Sequence, residues 1–255
     1  MFRKFTPKED IAGNAPMKSS AQRQIRAKLL EQIPLLSQPA QPPISAASGP
    51  VVEEEDDLPK KGPGAGKKDK GGKKGGKGGK GKKGRGEDDE EQAAPTEEAT
   101  PTAVDEELTV LDVLWPKKET LTLVKCREHI SLYTVHGEPL FFQHFDGPFY
   151  PTLKVLHRYP QMLPRVGVDR GAIKFVLSGA NIMCPGMTSP TGYLPPPSSN
   201  IPKGSPVAVH AYGKEHALAI GLLAMSTDEI RDLNKNIGVE NITYLGDDLW
   251  KVGNL

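Results

Sequence analysis

GAIKFVLSGANIMCPGMTSP, residues 171–190, is the stretch whose reading decides the fold. Ala172 to Leu177 puts Ile173, Phe175 and Leu177 on one side of an extended chain, the period-2 pattern of a half-buried strand. Gly179 and Gly186 then bracket an apolar pair, Ile182-Met183. Glycines so placed have two open readings: tight turns, or a place where a ligand can lie close to the main chain. Downstream, a Pro-rich loop from Tyr193 to Pro206 leads to a strand at Val207–Ala211. The turn Tyr212-Gly213-Lys214 precedes Ala217–Met225, which hairpin spacing and Gly221 favour as a strand. Ser226 with Glu229 makes a capping box, and Ile230, Leu233 and Ile237 carry a short helix to Gly238. Ile242–Leu245 and Leu249–Val252 close as strands around Gly246-Asp247-Asp248. Many short strands in so few residues predict a small barrel-like β domain over 169–255.

Upstream the pattern differs. Ser19–Ile33 reads as an amphipathic helix, with a capping box from Ser19 to Gln22 and Ala21, Ile25, Leu29 and Ile33 on one face. Pro34 stops it. A second short helix is expected over Glu106–Leu114, ending at Trp115-Pro116. Leu121–Cys126, Ile130–Val135 and Pro139–Phe145 read as strands, with His136-Gly137 as a two-residue hairpin turn. Pro151 opens a helix to about Tyr159. Residues 1–36 with 108–165 therefore form a small α+β domain.

Between these pieces the composition changes. The 255 residues carry 33 Lys+Arg and 32 Asp+Glu, a formal net charge of +1. Residues 37–107 hold 12 basic and 16 acidic groups, leaving 21 basic and 16 acidic for the remainder, which is mildly basic. The insert runs from a Pro/Ser/Ala stretch through an acidic block (Glu53–Asp57), a Lys/Gly tract (Lys60–Gly86) and a second acidic block (Glu87–Glu91). It has no aromatic residue, so apolar burial cannot offset an ordering cost of about 1–2 kcal/mol per residue, and it is expected to be disordered. Its lysines can serve as a solvated linker, an auxiliary RNA contact or a nuclear address. Hydrophobic residues are 36% of the chain, which excludes one compact domain of this length. No apolar run reaches the roughly 20 residues that span a bilayer, and no secretory signal opens the chain. Two cysteines make no disulfide framework and fit a reducing compartment, so a cytoplasmic protein is expected.

Catalytic and metal patterns are weak. Cys126-x-x-His129 is half a zinc site, and nothing repeats its spacing. Ser178-Gly179 lacks the G-x-S-x-G frame, and no phosphate-cradling G-x-x-x-x-G-K-[ST] occurs. No enzyme activity and no cofactor are expected. Phe141, Phe142, Phe145, Phe149 and Tyr150 crowd around Gly147-Pro148, as core or as a protein interface.

The motifs also carry a resemblance. Gly171–Pro190 resembles the opening strand and glycine loop of PUA RNA-binding domains, and AVHAYGKEHALAIGLLAMSTDEI (208–230) resembles their hairpin. MFRKF (1–5), VKCREHISLYTVHGEPLFFQHFDGPFYPTLKVLHRYP (124–160) and IGVENITYLGDDLW (237–250) extend it to one family. That family is the malignant T-cell-amplified sequence proteins, whose fungal members are called translation machinery-associated proteins. The insert is the departure from the compact members. The resemblance implies an α+β fold, with an N-terminal α+β domain and a C-terminal PUA-type β pseudo-barrel. It also implies a non-catalytic factor of the small ribosomal subunit. Such a factor acts with the SUI-domain partner density-regulated protein in tRNA removal, recycling and reinitiation. The alternative is a ribosome-assembly or RNA-modification accessory factor. The implied RNA contacts, to rRNA or tRNA, are Arg170, Lys174, Ser178, Gly179, Ala180, Asn181, Cys184, Pro185, Gly186, Lys214 and His216. Free amides at the glycine bend would donate to phosphate oxygens, and Ser178 and Asn181 side chains would assist. The five aromatics at 141–150 would meet the partner protein.

Overall fold

The computed structural model describes residues 2–40 and 108–255. The remaining insert residues, including both acidic blocks and the Lys/Gly tract, lie outside the described residues, as does the expected helix start at Glu106. The edges of the insert belong to the fold. Ala40 N–H donates to Leu108 O at 2.8 Å and Val110 N–H to Gln38 O at 3.0 Å, so Ser37–Ala40 are paired where disorder was expected.

In chain order the elements are α1 (Pro7–Asp10), β1 (Ile11–Pro16), α2 (Ser19–Gln32), α3 (Val110–Leu114), β2 (Thr122–Cys126), β3 (Ile130–Val135), β4 (Glu138–His144), β5 (Phe149–Pro151) and α4 (Leu153–Arg158). Then follow β6 (Arg165–Val168), α5 (Ile173–Val176), β7 (Ile182–Met183), α6 (Cys184–Thr188), β8 (Pro206–Ala211), β9 (Ala219–Leu223), α7 (Thr227–Leu233), β10 (Ile237–Tyr244) and α8 (Asp248–Lys251). The first sheet runs β1-β2-β3-β4-β5 and is antiparallel throughout. The second runs β6-β8-β9-β10-β7, with β6 and β8 parallel. The fold is α+β, as expected.

Local chemistry explains most elements. His136 (φ 51°) and Gly137 (φ 82°) both take positive φ between β3 and β4, the geometry a two-residue hairpin requires. Thr109 and Asp112 form a reciprocal capping box on α3, and Ser226 and Glu229 form one on α7. Other expectations need correction. The Ser19 capping box is absent: Lys18 is the N-cap of α2, and Gln22 Nε2 donates to Met17 O at 2.7 Å instead. Pro151 ends β5, and Thr152 caps the helix after it, accepting from Val155 N–H. The α7 helix stops at Leu233, because Asn234 turns left-handed (φ 44°), and Ile237 opens β10. Residues 249–252 contain the end of helix α8, since Asp247 accepts from Trp250 N–H at 2.8 Å and starts a turn. The second sheet begins at Arg165, ahead of the expected boundary at 169.

Two apolar clusters share this frame. The first gathers α2, α3, the first sheet and α4 around Phe2, Leu29, Leu111 and Phe142, and also takes Ala208, Ile220 and Ile242 from the second sheet, Ala217 from the turn before β9 and Leu249 from α8. The second fills the other face of the second sheet around Val166, Met187, Val209 and Ile230. Phe2 is 1% exposed and packs edge-on against Phe142 with centroids 5.0 Å apart. Phe2 O accepts from Asp248 N–H at 3.1 Å, so the two chain termini are joined there.

His210 on β8 lies in this junction, beside His157 of α4, His216 and Leu156. It is buried, and neither ring nitrogen finds a hydrogen bond of good geometry among the described residues. Burial first, then the positive Arg165, pushes its pKa down to about 4, although the Glu215 and Lys214 backbone favours the charged ring. Burial likewise lowers that of His157. Above pH 6.5 His210 is neutral folded or unfolded. As pH falls from 6.5 toward 4 only the unfolded chain gains the proton, so stability drops by about 3 kcal/mol at ~1.4 kcal/mol per pH unit. Urea denaturation between pH 7.5 and 4 should show this loss, and His210→Leu should flatten most of it.

Candidate nucleic-acid interface

Residues 169–180 build the site. Asp169 Oδ1 accepts from Ala172 N–H at 2.9 Å and opens a tight turn, Arg170–Ala172, that runs into α5. Gly179 (φ 81°) closes the helix. Its N–H donates to Val176 O at 2.9 Å, and Ala180 N–H donates to Phe175 O at 3.0 Å. This pair of bonds around a left-handed glycine is a Schellman closure. The expected strand over 172–177 is therefore a capped helical turn. Asn241 of β10 ties it down. Its Nδ2 donates to Val176 O and Ala180 O, both at 3.1 Å, and its N–H donates to Asn181 Oδ1 at 3.0 Å.

The helical closure overturns the expected phosphate cradle. The amides of Ser178, Gly179 and Ala180 are spent on the carbonyls of Lys174, Phe175 and Val176. Cys184 N–H is spent on Asn236 O, and the Ser178 hydroxyl on Phe175 O. Gly179 is glycine for its backbone: a Cβ there would stand 3.0 Å from Tyr244 Cε1 and close to the Arg3 guanidinium, which donates to Ser178 O. Cys184 is buried and starts α6 with Pro185, and desolvation raises its thiol pKa.

What remains exposed is a groove of roughly 1020 Å³. Arg170, Lys174, Phe175, Ala180, Asn181 and Gly186 all contribute to its lining, as does the half-exposed Met183. Phe175 is 56% exposed, and Lys174 Nζ lies 4.9 Å from its ring centroid. Arg170 Nε donates to Tyr212 O at 3.2 Å, which fastens the groove to the β8–β9 turn. Lys214 is exposed in that turn. Arg170, Lys174 and Lys214 enter no ion pair among the described residues. His216 leaves the groove: its ring is 4.9 Å from that of His157 at the domain junction. Sequence reasoning missed Phe175, Met183 and Tyr212 as exposed groups. The signal lay in Asp169 three residues before Ala172, with a glycine ten residues on: a helix start and stop rather than a strand.

The other cluster divides. Phe141, Phe142, Phe149 and Tyr150 are core, each at most 5% exposed, so four of the five expected partner contacts are unavailable. Phe145 alone is presented, at 58% exposure and φ 51°, with the His129 ring stacked 4.5 Å away. Cys126 is buried, its thiol pushed up to about 11 by desolvation and then by Asp10. No group of three or more His, Cys, Asp or Glu able to hold a metal occurs among the described residues.

Comparisons with known proteins define the class first. Residues 101–160 match the Pre-PUA-like domain, and residues 164–245 match the PUA domain. Malignant T-cell-amplified sequence 1-A of Xenopus laevis is 55% identical over 140 residues, covering 55% of this chain and 75% of that one. Translation machinery-associated protein 20 of Schizosaccharomyces pombe is 38% identical over 251 residues, 98% of both chains. Among solved structures, a conserved PUA domain protein from Thermoplasma acidophilum aligns with TM-score 0.42 and 25% identity, over 52% of this chain and 82% of that one. The chain belongs to the family of malignant T-cell-amplified sequence and translation machinery-associated proteins.

Two substitutions check these assignments. Gly179→Ala should destabilise by about 1–2 kcal/mol in chemical denaturation, because alanine pays for a left-handed φ and meets Tyr244. Phe142→Ala should cost about 3–5 kcal/mol as a core truncation, whereas Phe145→Ala should change stability by under about 1 kcal/mol.

Proposed function

We propose that this protein is a non-catalytic, RNA-binding translation factor of the small ribosomal subunit. The groove over α5 carries the reading: an exposed aromatic ring flanked by cations with no paired acid. Phe175 offers a face on which an unpaired base can stack, and Lys174, Arg170 and Lys214 meet the phosphates on either side. Contact is thus through side chains rather than main-chain amides. Its family membership supports placing it in the translation machinery.

Within that reading the protein is cytoplasmic and acts with density-regulated protein in tRNA removal from post-termination subunits and in reinitiation. Phe145 is the side chain of the first domain best placed to meet that partner. No energy source enters, so tRNA release follows from binding geometry shared by the two proteins.

Sedimentation with purified small subunits, with and without density-regulated protein and at two salt concentrations, tests the proposal. The wild-type chain should co-sediment. Phe175→Ala should weaken binding by ~1–3 kcal/mol, roughly 5- to 150-fold, the range for one stacked base. Lys174→Glu should weaken it and flatten the salt dependence. Unchanged binding in both variants would remove the groove from the site, and association only with precursor particles would favour an assembly factor.

A further inference from the structure

The two sheets have four edges, and three are closed. At β5, the Gln32 side chain takes the place of a neighbouring strand: its Nε2 donates to Phe149 O at 2.7 Å, and Phe149 N–H donates to its Oε1 at 2.8 Å. At β6, Gly167 and Tyr193 exchange N–H···O bonds of 2.8 and 3.0 Å. At the far edge of the second sheet, β7 is only two residues long, too short to template another strand. Proteins blunt such edges because unpaired backbone groups recruit other strands.

The fourth edge, β1, is open. Ile11–Pro16 pairs with β2 on one side only, and Ala12–Pro16 are exposed. Ile11 N–H is taken by Pro7 O of the preceding turn, but from Ala12 to Pro16 no loop or side chain among the described residues bonds to the outer groups. The strand holds no charged residue, and its blunting features are a terminal Pro16 and a bulge between Ile11 and Gly13. Every second residue of an antiparallel edge strand turns its N–H and C=O outward.

Gly13 stands at the bulge of β1, and no crowding among the described residues requires a glycine there. It does not take positive φ, and a Cβ there would meet nothing within 4 Å. Glycine within a strand costs about 0.5–1 kcal/mol and marks a bulge or a place where another backbone approaches closely, and with no Cβ at Gly13 both hold at this edge. Across from it in register is Lys125, whose exposed side chain makes no ion pair or hydrogen bond among the described residues. Strands lie about 5 Å apart, so a residue arriving opposite Gly13 stands about 10 Å from Lys125. An acidic side chain and a lysine together span that distance, provided nothing projects between them. Lys8, Lys18 and Arg127 are exposed at the ends of the strand, against Glu9, Asp10 and Glu128 in the same flanking stretches, with Asp10 Oδ2 already accepting from Thr6 N–H at 2.7 Å.

We propose that the outer edge of β1 is a strand-addition site for an extended segment of a partner protein, with an acidic side chain opposite Gly13. A second copy fits less well, because antiparallel β1 pairing would aim two Lys125 side chains at each other across the glycines with no acid between. This surface is separate from the RNA groove.

Hydrogen exchange on the full chain tests it, with no RNA or ribosome present. The probes are two capped heptapeptides of alternating valine and threonine, one with a central glutamate and one with a central lysine. At millimolar concentration the glutamate peptide should slow exchange of the outward amides between Ala12 and Ala15. It should bind roughly fivefold more tightly than the lysine peptide, about the strength of one exposed ion pair. Lys125→Glu should reverse that preference, and Gly13→Leu should reduce it. Absence of β1 protection, or equal binding of both peptides, overturns the proposal. So does β1 protection without peptide in a chain that sediments as a dimer, which would assign the edge to a second copy.

Discussion

A four-residue helix has no stability of its own, because nucleating a turn costs more than one turn of hydrogen bonds returns. The α5 helix persists because both ends are fastened. Asp169 caps the entry, Gly179 closes the exit, and Asn241 reaches across from β10 to hold the carbonyls of Val176 and Ala180. The groove depends on this arrangement. If α5 unwound to an extended chain, Phe175 would no longer be presented beside Lys174, and that part of the groove lining would be lost.

The same fastening decides how a polyanion can be met. A glycine-rich bend often offers main-chain amides to phosphate, but here the helix closure consumes them. The cations and the ring are what is left. Arg3 completes the arrangement by donating to Ser178 O. The first residues of the chain therefore serve both halves of the molecule: Phe2 is buried against Phe142, and Arg3 supports the bend that shapes the groove.

Much of the first domain could be read directly. Leu121–Cys126, Ile130–Val135 and the His136-Gly137 turn are local, because strand alternation and a two-residue turn need no distant partner. The β1 and β5 strands could not be read so. The β1 strand has no buried face to impose alternation, and β5 is three residues held by Gln32 from another element. The aromatic cluster was ambiguous for a related reason. Five rings close in sequence can all be apolar, but only the course of the backbone decides which turn inward, and the positive φ of Phe145 turns it out.

By itself the sequence determined the composition break at the insert, the α+β class, the short-strand pattern of the second domain, and which residue types crowd the stretch 170–186. Only the tertiary structure decided that 173–176 is a helix, which cations line the groove, and that His216 belongs to the domain junction. The reason is physical. Period-2 and period-3.6 patterns are indistinguishable over four or five residues, and what breaks the tie is Asn241, some sixty residues away, hydrogen-bonding to a turn that could not hold alone.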